Sequence, residues 1–289
     1  MAVIDPNTNK VVADIRGVGT HPDKLAVGKN DVWVLSRRDQ TITHIDAKSR
    51  AVGAPHGAGT DATDVAVGAG AVWVAGGRSG VVIRIDPRSP SLQERIALPH
   101  VAGFPSATSL AVAPGSVWVF DAEHSALFRL DTATNVVTKR IPRVYASPPS
   151  IVAGDGMLRY LVSGGAIYPP VVNLDVATGT RTPLARLAGA GSALAVGGGD
   201  VWVAVPRTRN VTGYDLQSGA PVATAPTGRA PAALAVDNTS VWVANAGPPA
   251  SVSRVDPTSG GVVATIPLAQ RPAAIAVAGG DVWVAVDGT

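Results

Sequence analysis

One short apolar phrase recurs along this chain of 289 residues and limits what the chain can fold into. The phrase VWV, or a close variant, recurs at intervals of about 40 to 45 residues, and MLRYLV places Tyr160 where a seventh tryptophan would fall. Before each phrase lies a small-residue apolar run such as KLAVG, and after it a run that ends in aspartate. The tryptophans are Trp33, Trp73, Trp118, Trp202, Trp242 and Trp283. Four short strands per repeat of this length predict a blade of a β-propeller.

A single repeat of this kind cannot be stable alone, because a small antiparallel sheet with two apolar faces must stack on neighbours. Radial stacking buries both faces and leaves short, protected edges. The chain begins in a third strand and ends after a second strand. We therefore expect one all-β domain over residues 1–289, a seven-bladed β-propeller with four antiparallel strands per blade. Blade 7 would be formed from about 273–289 plus 1–16, so that the terminal strands close the ring.

The composition excludes several classes of protein. The chain has no cysteine, which rules out a disulfide scaffold, a thiolate zinc site and a cysteine nucleophile. A net charge of +3, spread along the chain, argues against a nucleic-acid partner. No apolar run reaches the ~18 residues of a membrane helix, and the first ten residues contain no apolar signal stretch. We expect a soluble monomer without membrane insertion.

The repeated polar residues are interpreted first as structural. A large flat side chain at one position of every repeat is typical of packing between sheets, so the tryptophans should lie between blades. An aspartate followed by Pro, Ser, Thr, Asn or Gly is typical of a tight turn, where the carboxylate accepts backbone hydrogen bonds. These turn residues are Asp5, Asp46, Asp86, Asp131, Asp175, Asp215 and Asp256.

Departures from the repeat indicate where function could reside. The connections at 98–109 and 163–170 are longer than their counterparts. Four of the five histidines fall in loops assigned to the same face, which the B–C and D–A loops form. Residues leading into strand A are polar in blades 1–4 and apolar in blades 6 and 7. We predict a ligand or protein segment bound on this face, with Arg37 and Arg78 as anion contacts. The other predicted contacts are His56, His100, Asp121, Glu123, His124, Tyr145 and Tyr168.

The most regular repeats carry a resemblance to known families. The segments 252–266 (VSRVDPTSGGVVATI) and 231–245 (PAALAVDNTSVWVAN) resemble the YVTN-type bacterial propeller repeat. They are also similar to NHL-like propellers that form sensor domains of bacterial Ser/Thr kinases, and more distantly to the streptogramin B lyase family of seven-bladed, metal-dependent enzymes. The first two likenesses imply a sensor or recognition domain of a larger bacterial protein, placed outside the cytoplasm.

Two functions remain open at this point. The lyase resemblance implies a catalytic histidine and glutamate on late blades, where this chain has Val205, Asn245 and Val286 after its VWV strands. No nucleophile elbow or Walker loop is present either. We therefore favour a non-catalytic binding module and assign no catalytic residue, metal ligand or cofactor. A metal-dependent lyase or hydrolase is the alternative; its candidate side chains are His56, His100, Glu123 and His124. The sequence does not identify the ligand.

Overall fold

The fold is built entirely from short antiparallel sheets arranged in a ring. The computed structural model describes residues 1–99, 106–154, 156–162 and 170–287, with backbone alone at 147–150. Its 28 strands form seven sheets of four strands each. Within these ranges no helix is long and apolar enough to cross a membrane. The predicted all-β, seven-bladed propeller is confirmed.

The first four blades follow one another along the chain, each running from an inner strand A to an outer strand D. Blade 1 comprises β3 (Lys24–Val27), β4 (Asp31–Ser36), β5 (Thr41–Asp46) and β6 (His56–Gly57). Blade 2 comprises β7 (Asp64–Gly68), β8 (Ala71–Ala75), β9 (Val81–Asp86) and β10 (Ser89–Ala97). Blade 3 comprises β11 (Ala107–Ala113), β12 (Ser116–Asp121), β13 (Ala126–Asp131) and β14 (Val137–Ile141). Blade 4 comprises β15 (Ala146–Gly154), β16 (Met157–Val162), β17 (Pro170–Asp175) and β18 (Arg181–Arg186).

The last three blades continue the pattern and then return to the start of the chain. Blade 5 comprises β19 (Ala193–Gly197), β20 (Asp200–Val205), β21 (Asn210–Asp215) and β22 (Pro221–Pro226). Blade 6 comprises β23 (Pro231–Val236), β24 (Val241–Asn245), β25 (Ser251–Val255) and β26 (Val262–Pro267). Blade 7 comprises β27 (Pro272–Ala278), β28 (Asp281–Val286), β1 (Ala2–Asp5) and β2 (Lys10–Asp14).

Ring closure occurs in blade 7, as the offset of the repeats predicts. Strand β1 pairs on one side with β28, with Val3 opposite Trp283, and on the other side with β2. The inner strands of all neighbouring blades contact one another, including β27 of blade 7 with β3 of blade 1. The seven inner strands therefore surround a central channel without a gap.

The tryptophans fill the spaces between blades. All six are at most 1% exposed, and each shares an apolar cluster with the next blade along the chain. Trp33 of blade 1, for example, packs with Val72 and Ile83 of blade 2. Burial of so large a ring at six of the seven junctions makes these residues the main apolar contact between those sheets.

Blade 4 corrects one expectation about the repeat. The pairing of β15 with β16 sets Val152 opposite Arg159 and Ile151 opposite Tyr160. In blade 3 the equivalent pairs are Ala111 with Trp118 and Leu110 with Val119, so Arg159, and not Tyr160, stands at the tryptophan position. Arg159 is 3% exposed and donates to the carbonyl of Gly154, five residues earlier. Trp73 donates to Gly68 at the same offset, so the arginine takes over this hydrogen bond.

The turn aspartates behave as structural residues. In six C–D turns the aspartate carboxylate accepts hydrogen bonds from the backbone amides two and three residues ahead, or from one such amide and a hydroxyl group of the turn. Asp131, for example, accepts from the amides of Ala133 and Thr134. Hydrogen bonds from these turn amides lower the pKa of Asp5, Asp46, Asp131, Asp175 and Asp256; for Asp215 the Ser218 hydroxyl contributes most to the lowered pKa. Such bonds favour the ionised form.

Candidate functional site

Polar side chains lie at the channel mouth in blades 1 to 3, and they form hydrogen bonds and an ion pair with one another. Asp64 at the start of β7 is 9% exposed and accepts hydrogen bonds from the Ser109 hydroxyl at 3.1 Å and the Leu110 amide at 3.0 Å. The Lys24 ammonium lies 3.7 Å from the other Asp64 oxygen. These contacts join the inner strands of blades 1, 2 and 3. Lys24 and Asp64 therefore stabilise the packing of these blades, and each side chain offsets the charge of the other.

Asp121 organises the B–C loop of blade 3. It ends β12, is fully buried, and accepts backbone hydrogen bonds from Ser106 at 2.9 Å, Glu123 at 3.1 Å and His124 at 3.3 Å. Its second oxygen lies 2.7 Å from Nδ1 of His124. Both oxygens are thus occupied within the loop. The exposed Glu123 and the half-buried His124 are held in fixed positions by this carboxylate.

Hydrogen bonds connect this loop to its neighbours on both sides. The amide of Val144 donates to the carbonyl of Ser125 at 2.7 Å, which holds Tyr145 beside the loop. On the other side, Gly77 and Ala107 exchange two hydrogen bonds of 2.9 Å, which brings the blade 2 loop carrying Arg78 to the start of β11. We call the surface formed by Arg78, Ser106, residues 121–125 and residues 144–145 the blade 3 loop cluster. It unites five of the nine predicted contacts.

The remaining predicted contacts do not join this cluster. Arg37 lies in blade 1, where its guanidinium is 3.3 Å from Asp23 and its amide donates to the same carboxylate. His56 was expected in a D–A loop, but it lies in the outer strand β6, paired with Ile42. Strand β6 is only two residues long and is the outer strand of blade 1, so His56 lies at the edge of that sheet. His100 and Tyr168 lie outside the described residues.

Two valines and an asparagine end the second strands of blades 5, 6 and 7. Val205 and Val286 are buried apolar residues, and Asn245 is fully buried, donating from its amide nitrogen to the hydroxyls of Ser251 and Ser253. Among the described residues no three histidine, aspartate or glutamate side chains are grouped so that they could hold a metal ion. The side chains of the blade 3 loop cluster can donate, accept and stack, which suits recognition of a partner.

A cavity of about 460 Å³ lies on this same face, but three blades away from the cluster. The D–A connection at 15–20 and residues Ala269, Gln270 and Val286 line it. Its lining includes the glycine-containing segment Gly17–Gly19 and the polar residues Asp14, Arg16, Thr20 and Gln270. Sequence reasoning did not point to it, because these connections have no length excess, and His21, in the D–A connection before blade 1, is not among the residues that line the cavity.

Comparison with known proteins shows the fold. No protein-family model matches the chain, and no curated protein matches it in sequence. Among solved structures it is similar to a streptogramin B lyase, with a TM-score of 0.77 and 16% identity over 95% of this chain and 93% of that one. It is also similar to virginiamycin B lyase from Staphylococcus aureus, with a TM-score of 0.73 and 17% identity over 93% and 92%.

A third similar structure is a chain of the mitotic checkpoint complex, with a TM-score of 0.70 and 13% identity over 96% of this chain and 98% of that chain. The likeness is one of fold. At identities of 13–17% the likeness shows the fold alone, and the same fold occurs in lyases and in components of protein assemblies. The predicted likeness to streptogramin B lyases is confirmed at the level of architecture, and kinship with YVTN or NHL repeats stays a prediction.

Proposed function

We propose that the chain is a non-catalytic recognition module that binds a protein segment through the blade 3 loop cluster, as the sensor or recognition part of a larger bacterial protein. The observation that carries the proposal is Tyr145. Its side chain is 56% exposed, yet its backbone neighbour Val144 is hydrogen-bonded to Ser125. An exposed aromatic residue on a fixed loop is typical of an interface anchor.

The surroundings of Tyr145 fit such an anchor. Arg78 and Glu123 belong to the same loop cluster, are exposed and are of opposite charge, which adds polar groups to a surface that carries an exposed aromatic residue. The buried Asp121 fixes the loop between them, so little ordering is required on binding, and preorganisation of this kind increases affinity. Placement outside the cytoplasm belongs to the proposal too, and is supported by the resemblance of the repeats to sensor propellers.

The experiment compares two double variants as bait in extracts of the organism that carries the gene. Tyr145→Ala with Arg78→Ala removes the proposed anchor and the exposed cation of the same loop cluster. Val263→Ala with Arg88→Ala removes an equally exposed apolar residue and an arginine from outside the loop cluster. We expect a partner that wild type and the second variant retain and the first variant loses. Equal retention by both variants would place binding elsewhere.

The lyase alternative has a direct test, because two of the similar structures are named as lyases of streptogramin B and virginiamycin B. We expect no conversion of a streptogramin B by the purified protein with added Mg²⁺ or Mn²⁺, as followed by mass spectrometry. Conversion that disappears in His124→Ala would replace the binding proposal with the enzymatic one.

A further inference from the structure

A second cavity, of about 310 Å³, lies between blades 3 and 4 on the opposite face, where the A–B and C–D turns meet. Its wall is made mainly of half-buried apolar residues, including Ala113, Ala153, Met157 and Val176. Trp118 and Arg129 line it as well. Mostly apolar walls with a few convergent polar groups are typical of small-molecule sites, and this volume is at the lower end of their range.

The position of Arg129 distinguishes this junction from two others. Arg129 pairs across the strands with Trp118, as Arg84 does with Trp73 and Arg254 with Trp242. Arg84 and Arg254 lie over their tryptophan rings at 5.7 and 5.0 Å. Arg129 instead donates to the Thr138 hydroxyl at 3.0 Å. Among the described residues it makes no contact of this kind with Trp118, so the space that the arginine fills elsewhere is left at the junction.

The indole N–H of Trp118 also differs from its counterparts. Trp73 and Trp283 donate to carbonyls five residues earlier, and Trp242 donates to Asp237. Trp33 and Trp202 have fully enclosed N–H groups without a partner. The indole N–H of Trp118 makes no hydrogen bond to any described residue. Unlike those of Trp33 and Trp202, this N–H is not fully enclosed, although the residue as a whole is only 1% exposed. Only an edge of its ring therefore reaches the cavity, and that edge provides a donor.

The inner strand of blade 4 explains part of the space. At the position of Ala153 the other six blades have valine, namely Val27, Val67, Val112, Val196, Val236 and Val277. Opposite Ala153 stands Leu158, where the others have valine. Alanine loses two carbon atoms and leucine regains one on the neighbouring strand. The cavity wall is consequently recessed at Ala153.

The polar side chains that line the cavity favour an anion because each of them can donate a hydrogen bond. Lys139, on the outer strand of blade 3, donates to the carbonyls of Val176 and Ala177 at the rim. The carboxylates of Asp131 and Asp175 accept hydrogen bonds within their own turns. No acidic side chain is among the described residues that line the cavity. Its side-chain polar groups are the indole and the guanidinium, which are donors, and the Ser116 hydroxyl, which can also donate. A carboxylate can accept from the indole and from the guanidinium.

We infer that the cavity between blades 3 and 4 binds a small apolar carboxylate, whose hydrocarbon part contacts Ala153 and Met157 and whose oxygens accept from Arg129 and Trp118. This site is independent of the blade 3 loop cluster, which lies on the other face.

The test uses nuclear magnetic resonance of the protein with ¹⁵N-labelled tryptophan, in which the Trp118 signal is assigned with Trp118→Phe. The probes are 2-naphthoate and the neutral 2-naphthamide. We expect 2-naphthoate to shift the Trp118 indole signal saturably and to bind about tenfold more tightly than the amide, since a charge-assisted hydrogen bond contributes on that scale. Ala153→Val, which installs the residue of the other six blades, should weaken 2-naphthoate about tenfold or more by filling the cavity.

Two arginine variants control the assignment. Arg129→Gln should reduce 2-naphthoate binding to the level of the amide. Arg84→Gln, a matched change at the junction where the ring is covered, should leave it unchanged. The inference is overturned if 2-naphthoate shifts no indole signal, if Ala153→Val binds as wild type does, or if acid and amide bind equally.

Discussion

Arg50 of blade 1 donates a hydrogen bond of 2.8 Å to the carboxylate of Asp281 in blade 7, across 231 positions of sequence. The pair spans the junction where the ring closes. Both side chains keep some exposure, so the ion pair contributes little to the free energy of unfolding. The strength of the closure must therefore come from β1 and β2, which complete the blade that β27 and β28 begin.

Deletion of residues 1–16 should abolish the cooperative fold, because it removes β1 and β2 and exposes the edge of β28. Thermal unfolding followed by circular dichroism measures this. Arg50→Gln is the control and should lower the free energy of unfolding by less than about 1 kcal/mol. A truncated chain that melts as the intact chain does would contradict closure by the terminal strands.

Trp242→Ala should lower the free energy of unfolding by about 3–5 kcal/mol, the range for truncating a large buried aromatic residue. Trp242 is fully buried, packs against Ile4 and Val284 of blade 7, and donates to Asp237. Urea unfolding measures the loss. Binding of any partner by the folded fraction should be retained, and loss of binding at unchanged stability would assign the tryptophan to a site instead.

Asp121→Ala should loosen the blade 3 loop cluster and lower the free energy of unfolding by about 1–3 kcal/mol, since it leaves buried donors without an acceptor. Hydrogen exchange should accelerate at the amides of Ser106, Glu123 and His124, which now donate to Asp121. Asp121→Asn keeps an acceptor oxygen and should have a smaller effect. Unchanged exchange at these three amides would show that the carboxylate does not hold the loop.

Acid should destabilise the propeller through its turn aspartates. Their pKa values are lowered in the folded state, so the stabilisation is present above the unfolded pKa of about 4 and is lost as pH falls through the folded values. A triple variant with Asp131→Asn, Asp175→Asn and Asp215→Asn removes three of these titrations. Urea unfolding at pH 5 and pH 3 should show that acidification lowers the free energy of unfolding less in this variant than in wild type. An equal loss would assign the acid sensitivity to other groups.

The architecture could be predicted because each repeat contains every signal of a blade, and seven weak signals at a fixed period reinforce one another. Matching aromatic residues did not identify which residue of blade 4 occupies the tryptophan position. Tyr160 is aromatic and close in sequence, but strand register follows the alternation of buried faces, and that places Arg159 at the tryptophan position. A buried arginine there has no precedent in the other blades of this chain.

Five of the nine contacts predicted from the sequence lie in loops that the structure brings together beside blade 3; that a ligand or protein segment binds there stays a prediction. The sequence did not distinguish Asp121 from Glu123 and His124. Both carboxylate oxygens of Asp121 accept hydrogen bonds within its own loop, whereas the side chains of Glu123 and His124 reach the surface of that loop. That distinction depends on burial. The cavity beside Trp118 had one readable signal, the alanine at 153 in a column of valines, but its meaning depended on where Arg129 points.

The closure in blade 7 also sets the order in which a newly made chain can fold. Strands β1 and β2 leave the ribosome before the other strands of the propeller, but their partner β28 is completed only at Val286. At roughly 5–20 residues per second the first two strands wait on the order of 15–55 seconds without it. During that interval a pair of strands with an open apolar edge is exposed to other nascent chains, so factors that shield the first segment should matter more for yield than factors acting on any later blade.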